Sequence, residues 1–308
     1  MKLKALAASA CLMFASTSAS ALNIALTNDD GWSTPGIQAL FDALTEAGHT
    51  VVLAAPLDGQ SGSSAAFNID SLEVTRQAEN QYSVALEGGE TGAEPATAGA
   101  FATKILTELT GEMPDLLISG INDGANTAAA TVTSGTVGAA IHSVALVLGE
   151  SVPAIAISTD ERCDEDAGIT EACREVADFV VDYVDHLTMR PNFVKGNSKL
   201  IQRELALNIN FPPGEPQGVV IAQQGRLPLL AGSFRSIDYG CPEGCSALEV
   251  GETTGAGILG APSVDPKGDV ADSDAILFDE GFITVVIIEA NYSAKAGGLT
   301  KYLNRFDF

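Results

Sequence analysis

Basic residues are scarce in this chain of 308 amino acids, which carries 16 lysines and arginines against 40 aspartates and glutamates and a formal net charge of −24. A surface of this sign repels phosphate backbones, so the composition argues against a nucleic-acid polymer as partner. A small phosphorylated ligand would need a local positive field, which a metal ion, a helix N-terminus or oriented backbone N–H groups supply. Most of the carboxylates are expected to lie on a solvated surface.

Long apolar runs are also missing, since no stretch reaches the roughly 18 residues that a membrane-spanning helix needs. The chain starts with Lys2 and Lys4, a short apolar run and the small residues 19–21, which is the layout of a secretory signal peptide. We therefore predict cleavage near Ala21, export to the periplasm or the medium, and no membrane partner. Cys11 leaves a lipid anchor as an alternative, although the leucine expected before it is absent.

Cysteine and histidine are few, at five and three residues. Four cysteines follow the predicted signal peptide, in two close pairs: Cys163 with Cys173 and Cys241 with Cys245. An even number in an oxidising compartment predicts two local disulfides; zinc is the alternative for the second pair, which lacks neighbouring histidines. No histidine lies in an RHG-like motif, which a phosphatase with a phosphohistidine mechanism would need. His49 and His186 are expected at the surface, and His142 is a candidate to face a pocket.

Strands and helices alternate in the first two-thirds of the chain. An apolar strand over residues 22–27 precedes a helix from Pro35 with apolar residues at i, i+3, i+4 and i+7, with Thr34 placed to cap it and Gly48 to end it. The next strand covers residues 49–56. The order repeats with a strand over 114–122, a helix over about 134–148 and the strand VPAIAIST, and then with a helix over about 171–187 and the strand LALNINFP. This predicts a Rossmann-like, doubly wound, mostly parallel sheet in an α/β fold.

Proline and glycine become frequent from Gly214 onward, where the strands GVVIAQQ and FITVVIIEA alternate with turn-rich stretches. We interpret residues 214–308 as β-rich extensions or oligomerisation arms of one domain that spans residues 22–308, and not as a second core. Residues 85–100, rich in glycine, alanine, threonine and glutamate, are predicted to form a flexible loop.

Ligands of open parallel sheets bind beyond the carboxyl ends of the strands, and polar residues gather there. The first three strand ends carry the following sets: Asn28, Asp29 and Asp30; Asp58, Gln60, Ser61 and Ser63; Ser119, Asn122 and Asn126. Gly31 indicates that the strand has turned, which lets Asp29 and Asp30 face one pocket. Adjacent carboxylates repel unless a cation lies between them or one is protonated, and Mg²⁺, Mn²⁺ or Ca²⁺ fits these oxygen donors. A polar turn without metal is the alternative.

The stretch TSGTVGAA places Ser134, Gly135 and Thr136 at the start of a helix. Free backbone N–H groups and two hydroxyls there form an anion site, and a simple capping serine or threonine is the alternative. Because the predicted topology brings this helix start to the same edge as the strand-end sets, a metal ion beside it suggests a phosphate ester as ligand.

The motifs TNDDG, PGI, AAPLDGQSG, PDLLISGINDGAN, SGTVGAA and VPAIAIS, with SDAILFDEGFITV near the C-terminus, resemble the SurE survival-protein family of nucleotidases in order and spacing. The resemblance implies one divalent metal ion, Mg²⁺ or Mn²⁺, held by Asp29, Asp30, Ser61 and Asn122, with Asp29 and Asp30 as the catalytic residues. It implies that phosphate is bound by Asn126, Ser134, Gly135 and Thr136. It also implies nucleoside 5′- or 3′-monophosphates as substrates, a Rossmann-like core, and a homodimer or homotetramer joined through C-terminal arms.

Departures from the family pattern surround these residues. Where members commonly have LGDDVxYSGT, this chain has TAAATVTSGT, so Ala129 and Ala130 replace two acidic residues and Thr133 an aromatic one. His142 replaces a glutamate, and Thr97 stands at an acidic position. The departures leave two alternatives open: a phosphatase of broad specificity for non-nucleotide esters, and a non-catalytic protein that binds a phosphorylated ligand or a divalent metal.

Other chemistries fit the sequence less well. DDG is not the DxD of haloacid-dehalogenase phosphatases, and no G-x-S-x-G elbow of a serine hydrolase occurs. A separate acidic stretch, residues 265–275, offers Asp265, Asp269 and Asp272 to a calcium ion. It lacks the EF-hand spacing, so a solvated loop is the alternative.

Overall fold

The computed structural model describes residues 20–145, 149–160, 162–163, 168–189, 200–202, 204–227, 237–238, 257–258 and 269–291. Its strands are β1 (Asn23–Thr27), β2 (Thr50–Pro56), β3 (Leu72–Ala78), β4 (Gln81–Leu86), β5 (Leu116–Asp123), β6 (Ala154–Thr159), β7 (Leu205–Phe211), β8 (Val219–Ala222), β9 (Ile237–Asp238), β10 (Gly257–Ile258) and β11 (Ile283–Glu289). Its helices are α1 (Pro35–Glu46), α2 (Pro95–Thr110), α3 (Ala130–Thr133), α4 (Gly135–Val144), α5 (Glu171–Thr188) and α6 (Asp274–Asp279).

Nine of these strands form one sheet in the order β3-β4-β2-β1-β5-β6-β7-β11-β8. The block from β4 to β7 is parallel, whereas β3 pairs antiparallel with β4, and β11 pairs antiparallel with β7. The prediction of a mostly parallel α/β sheet is therefore confirmed. The order places β1 and β5 side by side at the centre, so their carboxyl ends meet at one edge of the sheet.

Helices cover both faces of this sheet. Ile24 and Leu26 of β1 join the apolar cluster under α1 and α5, whereas Ala25 joins the cluster under α2 and α4. This division follows from the alternation of side chains along a strand. Because both faces are covered, β1 is buried throughout, as is typical of a parallel strand. No helix among the described residues is both long enough and apolar enough to cross a membrane.

The prediction that residues 85–100 form one flexible loop is wrong at both ends of the segment. The segment contains the end of β4 and the first turn of α2, which starts at Pro95. Ala98, Ala102 and Leu106 of that helix are wholly buried. The buried residues of its first two turns are all small, so they give no pattern of large side chains that would reveal where the helix starts.

The C-terminal strands extend the main sheet, as predicted for β-rich extensions of one domain. β11 pairs with β7, and β8 pairs with β11. β9 and β10 form a separate antiparallel pair. The role of this region in oligomerisation stays a prediction.

The prediction that His49 lies at the surface is wrong, since His49 is buried and its Nδ1 accepts a hydrogen bond of 3.2 Å from the Leu22 N–H. His186 is exposed as predicted.

One of the two predicted disulfides lies within the described residues. Cys163 and Cys173 are bonded, and both are buried at the start of α5. Cys241 and Cys245 lie outside the described residues.

Replacing Cys163 and Cys173 together by alanine should lower the free energy of unfolding by about 2–3 kcal/mol, because the bond closes a short loop and restricts the unfolded chain. Urea unfolding of the variant and of the oxidised wild type measures this difference. Equal midpoints and slopes for the two proteins would contradict a stabilising role of the bond.

Candidate metal and phosphate site

Asp29 lies just beyond the carboxyl end of β1, beneath the start of α4, and only 3% of it is exposed. Its Oδ1 accepts a hydrogen bond from the Thr136 hydroxyl. Burial raises the pKa of the Asp29 carboxyl, against the smaller lowering effects of Thr136 and of the backbone N–H groups of Asp29, Thr136 and Gly135. A buried carboxylate in this state is costly to ionise. A cation beside Asp29 would therefore favour its charged form.

The chain turns directly after β1. The Asn28 side chain closes the turn, since its Oδ1 accepts from the Gly31 N–H at 3.2 Å and its Nδ2 donates to the Gly31 carbonyl at 2.9 Å. Thr34 occupies the N-cap position of α1 as predicted, but its hydroxyl donates to the Gly31 carbonyl and makes no side-chain cap hydrogen bond. Asp30 is half-buried, and its Oδ2 accepts from the Asp123 N–H at 3.1 Å. Asp29 thus meets α4, and Asp30 meets the end of β5.

The loop after β2 joins the same edge. The Gln60 N–H donates to the Asp29 carbonyl at 2.7 Å, and Ser61 follows it with an exposed side chain. The Ser64 N–H donates to the Thr133 carbonyl at 3.1 Å, just before α4. Residues 60–64 therefore connect the end of β1 to the start of α4.

Ser63 carries a buried hydroxyl that finds no hydrogen-bond partner among the described residues. A Cβ placed on Gly135 would lie 2.5 Å from the Ser63 Oγ and 2.9 Å from the Asp29 Oδ2. The hydroxyl and the carboxylate thus flank the same point of the α4 backbone. A glycine is needed there, and an unpaired hydroxyl beside a buried carboxylate is chemically suited to a ligand that binds both.

The two amide residues after β5 are oriented by their neighbours. Asn122 donates through Nδ2 to the Gly124 carbonyl at 2.5 Å, which leaves its Oδ1 as the amide atom that suits a hard cation. Asn126 donates through Nδ2 to the Ser158 hydroxyl at 2.9 Å. One of the two amide hydrogens of Asn126 is therefore already used.

Four predicted site segments come together at this edge: residues 29–30, 60–64, 122–126 and 134–136. Within the described ranges, no three histidine, cysteine or carboxylate side chains gather as metal ligands. The candidate set is instead two carboxylates with serine and asparagine oxygens, which suits Mg²⁺ or Mn²⁺ better than zinc. The buried Asp29 and the unpaired Ser63 hydroxyl are consistent with a cation at this position.

Other polar residues singled out from the sequence make contacts within the protein. Ser134 caps α4, since its Oγ accepts from the Val137 N–H at 3.0 Å, and its phosphate contact stays a prediction. Asp58 accepts from the Gly92 N–H at 2.5 Å and so holds a neighbouring loop. Ser119 is buried without a hydrogen-bond partner among the described residues.

His142 stacks on Phe67, with ring centroids 4.6 Å apart. It lines a cavity of about 310 Å³ between α2 and α4. Burial lowers the pKa of its imidazole.

Hydrogen bonds within the protein hold the described part of the proposed calcium loop. Asp265 lies outside the described residues. Asp269 accepts from the Arg226 N–H at 2.8 Å and from the Ser273 hydroxyl at 2.7 Å. Asp272 accepts from the Gln223 side chain at 2.9 and 3.1 Å. These hydrogen bonds tie the segment before α6 to the residues that follow β8, and calcium binding by this stretch stays a prediction.

Asp274 was not singled out from the sequence, yet it is wholly buried and holds a loop of the site. Its carboxylate accepts from the Ala128 N–H at 3.1 and 3.2 Å and from the Gly225 N–H at 2.8 Å. Burial raises the pKa of the Asp274 carboxyl, partly offset by these donors. An aspartate at the start of a helix looks like a cap in sequence, which hides its contact with a residue 146 positions away.

The chain is similar to known proteins of one family. The family model described as Survival protein SurE matches residues 24–228. The 5′-nucleotidase SurE of Solidesulfovibrio magneticus is 35% identical over 192 residues, which cover 62% of this chain and 65% of that protein, just under two thirds of its length. The 5′-nucleotidase SurE of Gloeobacter violaceus is 27% identical over 278 residues, which cover 90% of this chain and 93% of that protein.

A solved structure shows the same fold. The SurE protein from Aquifex aeolicus superposes with a TM-score of 0.63 at 24% identity, covering 91% of this chain and 99% of that one. The family match extends over most of the chain and includes all four site segments. The chain belongs to the SurE survival-protein family.

Proposed function

We propose that this protein is a metal-dependent phosphomonoesterase that releases phosphate from nucleoside 5′- or 3′-monophosphates. The observation that carries the proposal is the Asp29 carboxylate, buried against the start of α4. A cation bound to it would lie beside the partial positive charge of a helix N-terminus, an arrangement that attracts phosphate. The names of the relatives as 5′-nucleotidases support nucleoside monophosphates as substrates.

Four residues would hold the ion, one Mg²⁺ or Mn²⁺ per chain: Asp29, Asp30, Ser61 and Asn122. Such an ion, when bound, polarises a phosphoryl oxygen and lowers the pKa of a bound water. The protein's own part is to fix the ligands. Thr136 orients the Asp29 carboxylate, and the Asp123 N–H orients that of Asp30.

The phosphate would be held by Asn126, Ser134, Gly135 and Thr136. Ser134 acts as an acceptor toward Val137, so its hydroxyl hydrogen is available to an oxygen of the ligand. The N–H groups at the start of α4 are placed before the reaction begins. Donors fixed in this way stabilise the charge that develops on phosphoryl oxygens at low reorganisation cost.

A second candidate is a phosphatase of broad specificity. A cavity of about 610 Å³ opens beside Ser134, with aliphatic side chains such as Val132, Ile141 and Ile221 in its wall. No aromatic ring on which a base would stack occurs among its described lining residues. This favours hydrophobic contact with the alcohol part of the ester and weak discrimination between bases.

Purified protein incubated with AMP, UMP, 3′-AMP and p-nitrophenyl phosphate should release phosphate only when Mg²⁺ or Mn²⁺ is present, because the ester is activated through the metal site. EDTA should abolish release, and excess Mn²⁺ should restore it. Colorimetric phosphate measurement gives the rates.

The pattern of rates separates the alternatives. Similar rates for all four esters favour the broad-specificity phosphatase. Metal-dependent binding without turnover identifies a non-catalytic binding protein, and release that persists in EDTA contradicts the metal site.

We also propose that the protein is exported and assembles into a homodimer or homotetramer. The disulfide between Cys163 and Cys173 supports an oxidising compartment. The exposed apolar residues Val219 and Ile221 on the edge strand β8 support a contact with another chain.

A further inference from the structure

We infer that Asn208 and Asn210 are positioning residues that hold Asn126 in place for phosphate binding, an inference that rests on the proposed function. Both asparagines lie on β7 and are wholly buried. They interrupt the apolar strand LALNINF two residues apart, so they point to the same face of the sheet.

Their side chains bind the backbone of Asn126 from below. Asn208 donates through Nδ2 to the Asn126 carbonyl at 2.9 Å. Asn210 donates to the same carbonyl at 3.3 Å, and its Oδ1 accepts from the Asn126 N–H at 2.7 Å. Three hydrogen bonds from β7 thus fix one segment of a loop that lies more than 80 positions away in sequence. The Thr131 hydroxyl, within the loop itself, also donates to the Asn126 carbonyl at 3.0 Å.

The loop on either side of Asn126 is fixed as well. The Ala125 N–H donates to the Asp160 carboxylate at 2.5 Å, and the Ala128 N–H donates to Asp274. Residues 125, 126 and 128 are therefore held by side chains from three different segments. Asn126 is the member of this loop whose own side chain is proposed to reach the phosphate, so the two asparagines control the residue that matters for the ligand.

Burial of Asn208 is unfavourable in itself. Its Oδ1 is buried without a hydrogen-bond partner among the described residues, which costs free energy that an apolar side chain would not incur. A requirement for stability alone would favour valine or leucine on this strand. The contact with Asn126 gives a reason for an amide here.

The same sheet offers a matched control. Thr284 of β11 lies opposite Asn210, is wholly buried, and its hydroxyl has no partner among the described residues. Thr284→Val therefore changes a buried polar group of the neighbouring strand without removing a hydrogen bond to the loop. Asn208→Ala removes one such bond, and Asn210→Ala removes two.

Isothermal titration with inorganic phosphate in the presence of Mn²⁺ tests the inference without requiring turnover. Asn208→Ala should weaken phosphate binding about tenfold, the effect of roughly one hydrogen bond, and Asn210→Ala should weaken it more. Thr284→Val should stay within about twofold of the wild type. In the Asn126→Ala background, Asn208→Ala should add less than about twofold, because the side chain that it positions is already gone.

Two results would overturn the inference: phosphate affinity of Asn208→Ala equal to that of Thr284→Val, or an Asn208→Ala effect that persists in full in the Asn126→Ala background. Should Asn208→Ala fail to fold, Asn210→Ala in both backgrounds decides in the same way. A wild type that binds phosphate but hydrolyses no ester contradicts the proposed function alone. A wild type that binds no phosphate overturns both.

Discussion

Asp29→Asn should lower the rate of phosphate release more than about 100-fold, a larger loss than is typical for a residue that only supports a metal ligand. The metal-free variant should be at least as stable as the metal-free wild type. Asparagine keeps the Oδ1 that accepts from Thr136 and removes the negative charge that burial disfavours. Activity and stability therefore change in opposite directions, as expected of a residue retained for function.

The pH dependence of this stability difference has a definite sign. Burial raises the pKa of Asp29 above its usual value of 3.8, so the folded metal-free protein binds a proton at this site more tightly than the unfolded chain. The free energy of unfolding of the wild type should then decrease as the pH rises through the window above 3.8. The advantage of Asp29→Asn should vanish at lower pH, where both states of the wild type are protonated.

Thermal unfolding in EDTA and in Mn²⁺ measures both effects. Metal at about 100 times its dissociation constant should stabilise the wild type by about 2.7 kcal/mol and Asp29→Asn far less. Asp42→Asn is the control, because it removes one exposed charge from α1 at a distance from the site. An equal Mn²⁺ effect on the melting temperatures of wild type and Asp29→Asn would mean that Asp29 does not bind the metal.

Gly138→Ala should reduce both stability and activity, although helix propensity alone predicts a gain of about 1 kcal/mol in a helix interior. A Cβ on Gly138 would overlap the backbone carbonyl of Ser64, so α4 and the loop of residues 60–64 must separate. Overpacking of this kind costs about 1–3 kcal/mol. Since the separation also moves the start of α4 away from Asp29, we expect kcat/KM to fall more than about tenfold, the size of effect that small misplacements cause.

Gly214→Ala is the matched control, because nothing lies within 4 Å of its added Cβ. Urea unfolding and kcat/KM of both variants against the wild type give the comparison. A Gly138→Ala protein more stable than the wild type would show that propensity outweighs the packing of α4 on this loop.

Sequence patterns predicted the central elements well where one physical signal dominates. The helices α1 and α5 have large apolar residues at helical spacing, and β1, β2 and β6 are apolar runs of strand length. The helix α2 was missed because the buried residues of its first two turns are small, and a large one, Leu106, follows only later. The strands β3 and β4 were missed as well, and β3 is mostly exposed, so it carries no apolar run.

The candidate site was predictable in its residue types and in its place at the strand ends. The turn at Gly31 and the cap at Ser134 both occur as the sequence indicates. The supports of the site were not predictable in this way. Asn208, Asn210 and Asp274 act on residues more than 80 positions away, and a buried asparagine or aspartate has no local pattern that reveals its distant partner.

The sequence by itself determined the α/β class, the strand-end position of Asp29 and Asp30, and the helix start at Ser134, because periodicity, turn residues and caps act over a few neighbouring residues. The tertiary structure alone decided that Asp29 lies against Thr136, that glycines at 135 and 138 admit the loop of residues 60–64, and that β7 holds Asn126. These features depend on close contacts between segments distant in the chain, which packing creates and local propensity does not encode.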